Sequence, residues 1–187
     1  MWPDRDHASE TLRGTGFDLV PLQSALHGAT LHDLFADDAT WQYLRDGPFA
    51  TAALYTAHLH DFLHHTAFAA YVITDPATGG ILGKMSLLHP EPACRGLEIG
   101  YVVFAAPAKG GGIGKAAVAL LIAAAFTQFG CDVLKWRCDA RNIASARLAE
   151  KLGFAHTQTI LKQMVVKGVD RDTLCFALPK ARWCKLG

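Results

Sequence analysis

A run of glycines followed by an alanine-rich stretch is the pattern in this chain with the clearest chemical use. Residues 109–114 read Lys-Gly-Gly-Gly-Ile-Gly, and the apolar residues 115–126 follow with helical composition. Because glycine has no Cβ, the backbone N–H groups of such a loop can approach phosphate oxygens closely, and the start of a helix adds partial positive charge. The pattern predicts a site for a cofactor that carries a pyrophosphate. A glycine-rich turn that merely begins a helix is the alternative.

Two common phosphate-binding loops fit this stretch poorly. A mononucleotide loop requires Gly where Lys109 stands and Ser or Thr where Ala116 stands. The dinucleotide pattern G-x-G-x-x-A does match residues 112–117, with Asp132 a little under twenty residues further on. That pattern should follow the first strand of a βαβ unit, whereas here it follows several strand-like segments. An NAD-binding oxidoreductase is therefore the third-ranked hypothesis.

Composition limits the classes of function. With 187 residues, of which 51% are apolar and 19% charged, the chain is expected to form one domain with a sizeable core. Lys and Arg total 18 against 17 Asp and Glu, which predicts no nucleic-acid partner. The five cysteines lack paired spacing, and no apolar run is long enough to cross a bilayer. From these two features we expect a cytoplasmic protein. We also expect no metal, since His60 and His64 lack a third ligand at motif spacing.

The periodicity along the chain predicts a mixed α/β (α+β) domain. Residues 1–13 are expected to form a flexible tail and residues 14–187 the domain. Predicted strands cover residues 14–21, 68–74, 81–88, 97–104, 133–138, 154–166 and 173–178, and predicted helices cover residues 24–35, 51–65, 115–129 and 144–152. The short connections between the second, third and fourth strands favour antiparallel hairpins. The predicted order is β-α-α-β-β-β-α-β-α-β-β.

Three motifs in this order give the chain a resemblance to a known family. Residues 109–114 match the form Gln/Arg-x-x-Gly-x-Gly/Ala with Lys at its first place, residues 142–145 match Asn-x-x-Ser, and residues 150–154 contain Lys-Leu-Gly-Phe. Together they resemble the GNAT N-acetyltransferase superfamily, in particular the branch that acetylates the N-termini of ribosomal proteins. Residues 41–49, 136–139, 167–168 and 171–172 also look like that branch.

The resemblance implies a cofactor site as well as a fold. The family fold has a V-shaped opening where two central strands splay, and it would place acetyl-CoA between the strand ending at Phe104 and the strand ending at Cys138. The pantetheine arm would pair with the backbone of the first of these strands, and the diphosphate would lie on the glycine loop. The cofactor-binding residues implied are Tyr101, Val102, Val103, Phe104, Lys109, Gly110, Gly111, Gly112, Ile113, Gly114, Lys115, Asn142 and Ser145.

The same resemblance assigns roles to two catalytic groups. Ser145 of the Asn-x-x-Ser motif would donate to the departing thiolate, because the tyrosine that most relatives use is replaced by Ala149. A hydroxyl that only helps to begin a helix is the alternative for Ser145, and a helix N-cap is the alternative for Asn142. Two glutamates of the family are replaced by Ala116 and Thr157, which leaves Glu98 as the candidate base or amine-binding carboxylate.

The replacement of both family glutamates leads to a hypothesis about the amine that receives the acetyl group. Deprotonating a lysine-type amine at pH 7 costs roughly 4 to 5 kcal/mol, whereas an α-amine costs only about 1 kcal/mol. We therefore expect direct transfer, in a ternary complex, to an α-amine or another amine of low pKa on a peptide or a small molecule. Trp41, Tyr43 and Phe49, together with Glu98, would contact this substrate. A non-catalytic acyl-CoA-binding module is the second hypothesis, and the protein could be a monomer or a homodimer.

Overall fold

The computed structural model describes residue 2, residues 6–108 and residues 112–185. The strands are β1 (Leu12–Arg13), β2 (Asp18–Pro21), β3 (Ala67–Thr74), β4 (Ile81–Glu91), β5 (Gly96–Phe104), β6 (Val133–Asp139), β7 (Ala155–Val166) and β8 (Val169–Pro179). The helices are α1 (Ser24–Leu34), α2 (Ala52–His65), α3 (Ile113–Thr127), α4 (Ile143–Lys151) and the short α5 (Lys180–Trp183). The predicted contacts of Lys109, Gly110 and Gly111 lie outside the described residues and remain predictions.

The described strands form one sheet of eight strands in the order β1-β2-β3-β4-β5-β6-β8-β7. Every neighbouring pair is antiparallel except β5 and β6, which are parallel. The predicted single-domain mixed fold is confirmed. The sheet starts earlier than the expected domain boundary at residue 14, because Leu12 and Arg13 pair with β2 and Leu12 is buried. In addition, β8 begins at Val169 rather than at residue 173, so it forms a long hairpin with β7.

The two parallel strands separate halfway along their length. Their pairing runs from Gly96 opposite Val133 to Ile99 opposite Trp136 and stops there. On the other side of β5, Ser86 pairs with Gly100 and Lys84 with Val103, so β5 contains an extra residue at this point. Tyr101 lies in this bulge with a φ of 51°, a left-handed conformation that non-glycine residues seldom adopt. The bulge turns β5 away from β6 and produces the predicted V-shaped opening.

Helices cover both faces of the sheet. On one face α3 packs on Leu97, Ile99 and Leu134 through small buried residues such as Ala117 and Ala125, which let its backbone lie close to the strands. On the other face α1 and α2 cover a second cluster that includes Leu31, Tyr55, Leu59 and Val103. None of the helices in the described part of the chain is long and apolar enough to span a membrane.

Candidate active site

The opening between β5 and β6 is a cavity of about 470 Å³. Its walls are the last residues of β5 and β6, the start of α4, the segment around Thr40 to Arg45, and residues of the β7–β8 hairpin. Its position is fixed by the fold, because the cavity begins where the pairing of Ile99 with Trp136 ends. The concave space therefore lies at the centre of the sheet, where backbone groups that would otherwise be paired are accessible.

One wall of the cavity is an open strand edge. Tyr101, Val102, Val103 and Phe104 all line the cavity. Val103 pairs with Lys84 of β4 on one side, while no residue of β6 pairs with β5 beyond Ile99 on the other. An extended molecule with amide groups can add to such an edge as a strand would. This edge suits the pantetheine arm of coenzyme A, which carries two amides.

The N-terminus of α3 lies beside the end of this strand. Gly112 precedes the helix with a φ of 83°, and no side chain caps the helix start. A Cβ on Gly114 would lie 3.0 Å from Phe104 Cζ, so a larger residue would require the Phe104 ring or the first turn of α3 to move. Gly112, Ile113, Gly114 and Lys115 do not themselves line the cavity. Uncapped N–H groups at this position can donate hydrogen bonds to an anion just outside the cavity.

Ser145 faces the cavity from the first turn of α4. The Asn142 side chain caps this helix by accepting a hydrogen bond from Ser145 N at 3.1 Å, and both residues line the cavity. The Ser145 hydroxyl accepts a hydrogen bond of 3.0 Å from Trp136 Nε1. Its own hydrogen remains available, since the indole is only a donor. The N-cap predicted as one alternative for Asn142 is present, and it places Ser145 at the cavity.

The hydroxyl of Ser145 has only a weak acceptor within the protein. Burial raises the pKa of the Cys138 thiol, and a hydrogen bond from Ser145 to its sulfur offsets this in part. Neutral sulfur accepts hydrogen bonds weakly, so a thiolate that enters the cavity would be a better acceptor. Ala149 is fully buried and offers no donor. Ser145 is thus a donor on this wall of the cavity.

Glu98 lies on the face of the sheet that α1 and α2 cover. Arg137 donates two hydrogen bonds to Glu98 Oε2, one of them from Nε at 2.7 Å. This ion pair raises the pKa of Arg137. Among the described residues, Glu98 Oε1 has no hydrogen-bond partner, and Glu98 lines the cavity although only 8% of its surface is exposed. A positioned carboxylate oxygen of this kind can hold or deprotonate an amine.

The aromatic segment contributes less to the cavity than the sequence suggested. Trp41 is buried, donates through Nε1 to Phe35 O at 2.8 Å, and packs edge-on against Phe49 and Tyr55. Trp41 and Phe49 therefore belong to the core beneath α2 and do not line the cavity, whereas Tyr43 does. The large apolar ring of Trp41 favours burial, and burial is possible here because the ring N–H donates to a carbonyl oxygen.

Two contacts hold this segment over the sheet. The Tyr101 hydroxyl donates to Asp46 Oδ2 at 2.8 Å, and burial together with this carboxylate raises the pKa of Tyr101 to about 12. From the hairpin, Lys167 Nζ donates to Trp41 O at 2.6 Å. The segment that carries Tyr43 is thereby connected both to the bulge of β5 and to the turn between β7 and β8.

Two polar residues that line the cavity were not predicted from the sequence. Arg171 and Thr173 of β8 are 9% and 1% exposed, and neither Arg171 Nε nor Thr173 Oγ1 has a hydrogen-bond partner. Both residues share a face of the sheet with Asp139, since Thr173 pairs with Asp139 across the β6–β8 ladder. The alternation of Arg171, Thr173 and Cys175 was the available signal, but its use required β8 to begin before residue 173.

The histidines of α2 form no recognisable metal site. His64 Nδ1 lies 2.8 Å from His60 O, and the two rings are 4.1 Å apart. Within residues 6–108 and 112–185, no group of three His, Cys, Asp or Glu side chains is arranged to hold a metal ion.

Comparisons with known proteins agree with this geometry. The family model described as the acetyltransferase (GNAT) domain matches residues 17–155. A solved structure from Chromobacterium violaceum, described as a probable acetyltransferase of the GNAT family, is 34% identical with a TM-score of 0.86, and the match covers 94% of each chain. A GCN5-related N-acetyltransferase from Brucella melitensis is 27% identical over 95% of this chain and 82% of its own, with a TM-score of 0.84.

More distant structures share the fold. A spermidine N-acetyltransferase from Vibrio cholerae, solved in complex with CoA and spermine, has a TM-score of 0.75 at 16% identity, over 91% of this chain and 99% of its own. Among curated proteins, none matches the sequence. The family match over most of the chain and the splayed strands at the centre of the sheet lead to one conclusion: this chain belongs to the GNAT acetyltransferase family.

Proposed function

We propose that this protein transfers the acetyl group of acetyl-CoA directly to a primary amine, with an α-amine as the preferred acceptor. The observation that carries the proposal is that Ser145 and Glu98 line one cavity, which lies at the splay of β5 and β6. A donor and a carboxylate at one opening are the two groups that amide formation from a thioester requires.

The residues around the cavity fit acetyl-CoA. The edge of β5 from Tyr101 to Phe104 would bind the pantetheine amides, and the uncapped start of α3 would bind the diphosphate together with the loop before it. Gly112 and Gly114 leave the room that backbone N–H groups need to reach an anion. When bound there, the cofactor supplies an activated acetyl thioester in the cavity.

Each polar group then has one task. Glu98 holds the amine through Oε1 and accepts the proton that the nitrogen loses as the new C–N bond forms, directly or through water. Ser145 donates a hydrogen bond to the sulfur as the C–S bond breaks, and Trp136 keeps the Ser145 hydroxyl in place. Neither step requires a covalent bond between the acetyl group and the enzyme.

The acceptor preference follows from how little of Glu98 is left to take up a proton. Arg137 occupies Oε2 of Glu98, so one carboxylate oxygen remains for the amine, and this arrangement suits an amine that is easily deprotonated. An α-amine with a pKa of about 7.7 to 8.0 meets this condition, and a lysine ε-amine with a pKa of about 10.4 does not. The resemblance of residues 142–145 and 150–154 to the ribosomal-protein N-terminal branch supports the same preference.

The test is a panel of amines with acetyl-CoA, in which release of free thiol and the mass of the acetylated product are both measured. The panel contains peptides with a free N-terminus and blocked lysine, the same peptides with a blocked N-terminus and free lysine, amino acids and polyamines. We expect faster turnover of α-amines at pH 7. Faster turnover of lysine would refute the preference, and CoA binding without thiol release on any amine would favour a non-catalytic module.

A further inference from the structure

Arg171, which lies in the wall of the cavity, has no hydrogen-bond partner in the described part of the chain. Arg171 is 9% exposed, its Nε has no acceptor, and no acceptor for its terminal nitrogens is found in the described part of the chain. Two residues further along β8, the Thr173 hydroxyl is equally unpartnered. A buried guanidinium normally has hydrogen-bonded partners, because its removal from water is costly. Because both groups line the cavity, a molecule bound there can supply the acceptors that the protein does not.

The carboxylates nearby are already occupied by other arginines. Asp139 accepts hydrogen bonds from Arg141 N at 2.9 Å, Arg141 Nε at 3.0 Å and Arg141 Nη2 at 2.7 Å. These bonds lower the pKa of Asp139, and Arg171 adds a smaller electrostatic effect without a hydrogen bond. Glu98 is held by Arg137. Arg171 therefore donates no hydrogen bond to either carboxylate that lines the cavity.

The register of the strands places Arg171 on the same face of the sheet as Glu98. Glu98 pairs with Lys135 of β6, and Asp139, four residues further along β6, faces the same way. Thr173 of β8 pairs with Asp139 and therefore lies on this face as well. Arg171, two residues from Thr173, shares this face. Glu98 and Arg171 both line the cavity from this face.

We propose that Arg171 and Thr173 bind a carboxylate carried by the acceptor, so that the substrate is an amine that also bears a carboxylate. This inference rests on the proposed acetyl transfer and specifies its substrate class. A planar guanidinium binds a carboxylate through parallel hydrogen bonds, and a neighbouring hydroxyl adds a further donor. Polyamines, which have no carboxylate and several positive charges, are poor candidates for this cavity.

The experiment measures binding separately from turnover. Small amines that carry a carboxylate, namely α-amino acids, β-alanine, γ-aminobutyrate and dipeptides, are each compared with the corresponding primary amide, and spermidine is included. Affinity is measured by calorimetry with protein saturated with CoA, which cannot react. Turnover of the same amines is measured with acetyl-CoA. We expect at least one carboxylate to bind about tenfold or more tightly than its amide, as charge-assisted hydrogen bonds allow.

The variants identify the residues responsible. Arg171→Gln should reduce the preference for the carboxylate to less than about twofold, and Thr173→Val should reduce it in part. Arg171→Lys keeps the charge but loses the planar fork, so an intermediate preference is expected. The exposed Arg182 of α5 provides the control, since Arg182→Gln should leave the preference unchanged. Arg171→Gln should not lower the temperature of thermal unfolding, because it removes no hydrogen-bonded partner.

The outcomes separate this inference from the proposed function. If amines are acetylated but the protein binds each carboxylate-bearing amine and its amide with equal affinity, the inference is overturned and acetyl transfer stands. A carboxylate preference that depends on Arg171, without turnover of any amine, would support the anion site and refute the proposed function. A preference that survives Arg171→Gln and Arg171→Lys would also overturn the inference, as would a large loss of stability in both variants.

Discussion

Replacing Gly112 by alanine tests the proposed anion site at the start of α3. Gly112 has a φ of 83°, and a Cβ built on it would meet no atom within 4 Å. The replacement therefore causes no steric clash, and its cost to folding is limited to backbone strain of about 1–2 kcal/mol. For a domain of this size that corresponds to a fall in the unfolding temperature of roughly 2–8 °C.

The effect on the affinity for coenzyme A is separate from this cost to folding. A methyl group at Gly112 occupies open space beside the first turn of α3, where the diphosphate is expected to approach the backbone N–H groups. Each interaction of an anion with a helix start contributes about 0.3–1 kcal/mol, and losing two of them raises the dissociation constant about tenfold. Calorimetric titration with CoA gives this constant directly.

Gly168 provides a matched control. It has a φ of 79° in the turn between β7 and β8, and a Cβ there would also meet no atom within 4 Å. Gly168→Ala should thus lower stability by a similar amount and change the affinity for CoA by less than about twofold. Equal affinities in Gly112→Ala and Gly168→Ala would refute the placement of the diphosphate at α3.

Three further predictions concern the cavity and the strand beside it. Ser145→Ala should lower kcat by about 100-fold. Trp136→Phe removes the donor to the Ser145 hydroxyl but keeps that hydroxyl, so it should lower kcat by less than about tenfold. Equal losses in the two variants would make Ser145 a structural residue. Glu98→Gln should reduce kcat/KM at least about tenfold and leave the affinity for CoA unchanged. Glu91 forms a similar ion pair with Lys135 outside the cavity, so Glu91→Gln should leave kcat/KM unchanged. Burial lowers the pKa of Lys84 to about 8, so its charge destabilises the folded state below pH 8 by about 3 kcal/mol. Lys84→Met should accordingly unfold at a higher temperature than the wild type at pH 7, and the difference should shrink as the pH rises from about 8 to 10.5; a constant difference across this range would contradict the assignment.

Local patterns predicted most of the elements of the fold. The change from helical spacing in residues 51–65 to strand-like runs after residue 67, and the Asn142 cap, are properties of neighbouring residues and needed no knowledge of the rest of the chain. The start of β8 was not predicted because Asp170, Arg171 and Asp172 are three successive charged residues, and Asp is depleted in strands. Its strand geometry comes from pairing with β7 around the Lys167–Gly168 turn.

Side chains whose positions depend on distant contacts were harder to place. Trp41 was expected to face the substrate, but its burial depends on Phe49 and Tyr55, which sequence spacing alone does not bring together. Arg171 stood in a segment that resembled the family, yet its importance arises because Arg141 satisfies Asp139 and leaves Arg171 without a partner. Competition of this kind appears only when several strands are assembled.

The position of bound acetyl-CoA tests the central claim most directly. A crystal structure with CoA and an amine acceptor should show the pantetheine along the backbone of Val102 to Phe104, the sulfur beside the Ser145 hydroxyl and the amine beside Glu98. CoA bound away from the splay of β5 and β6, with the edge of β5 still unpaired, would contradict the account.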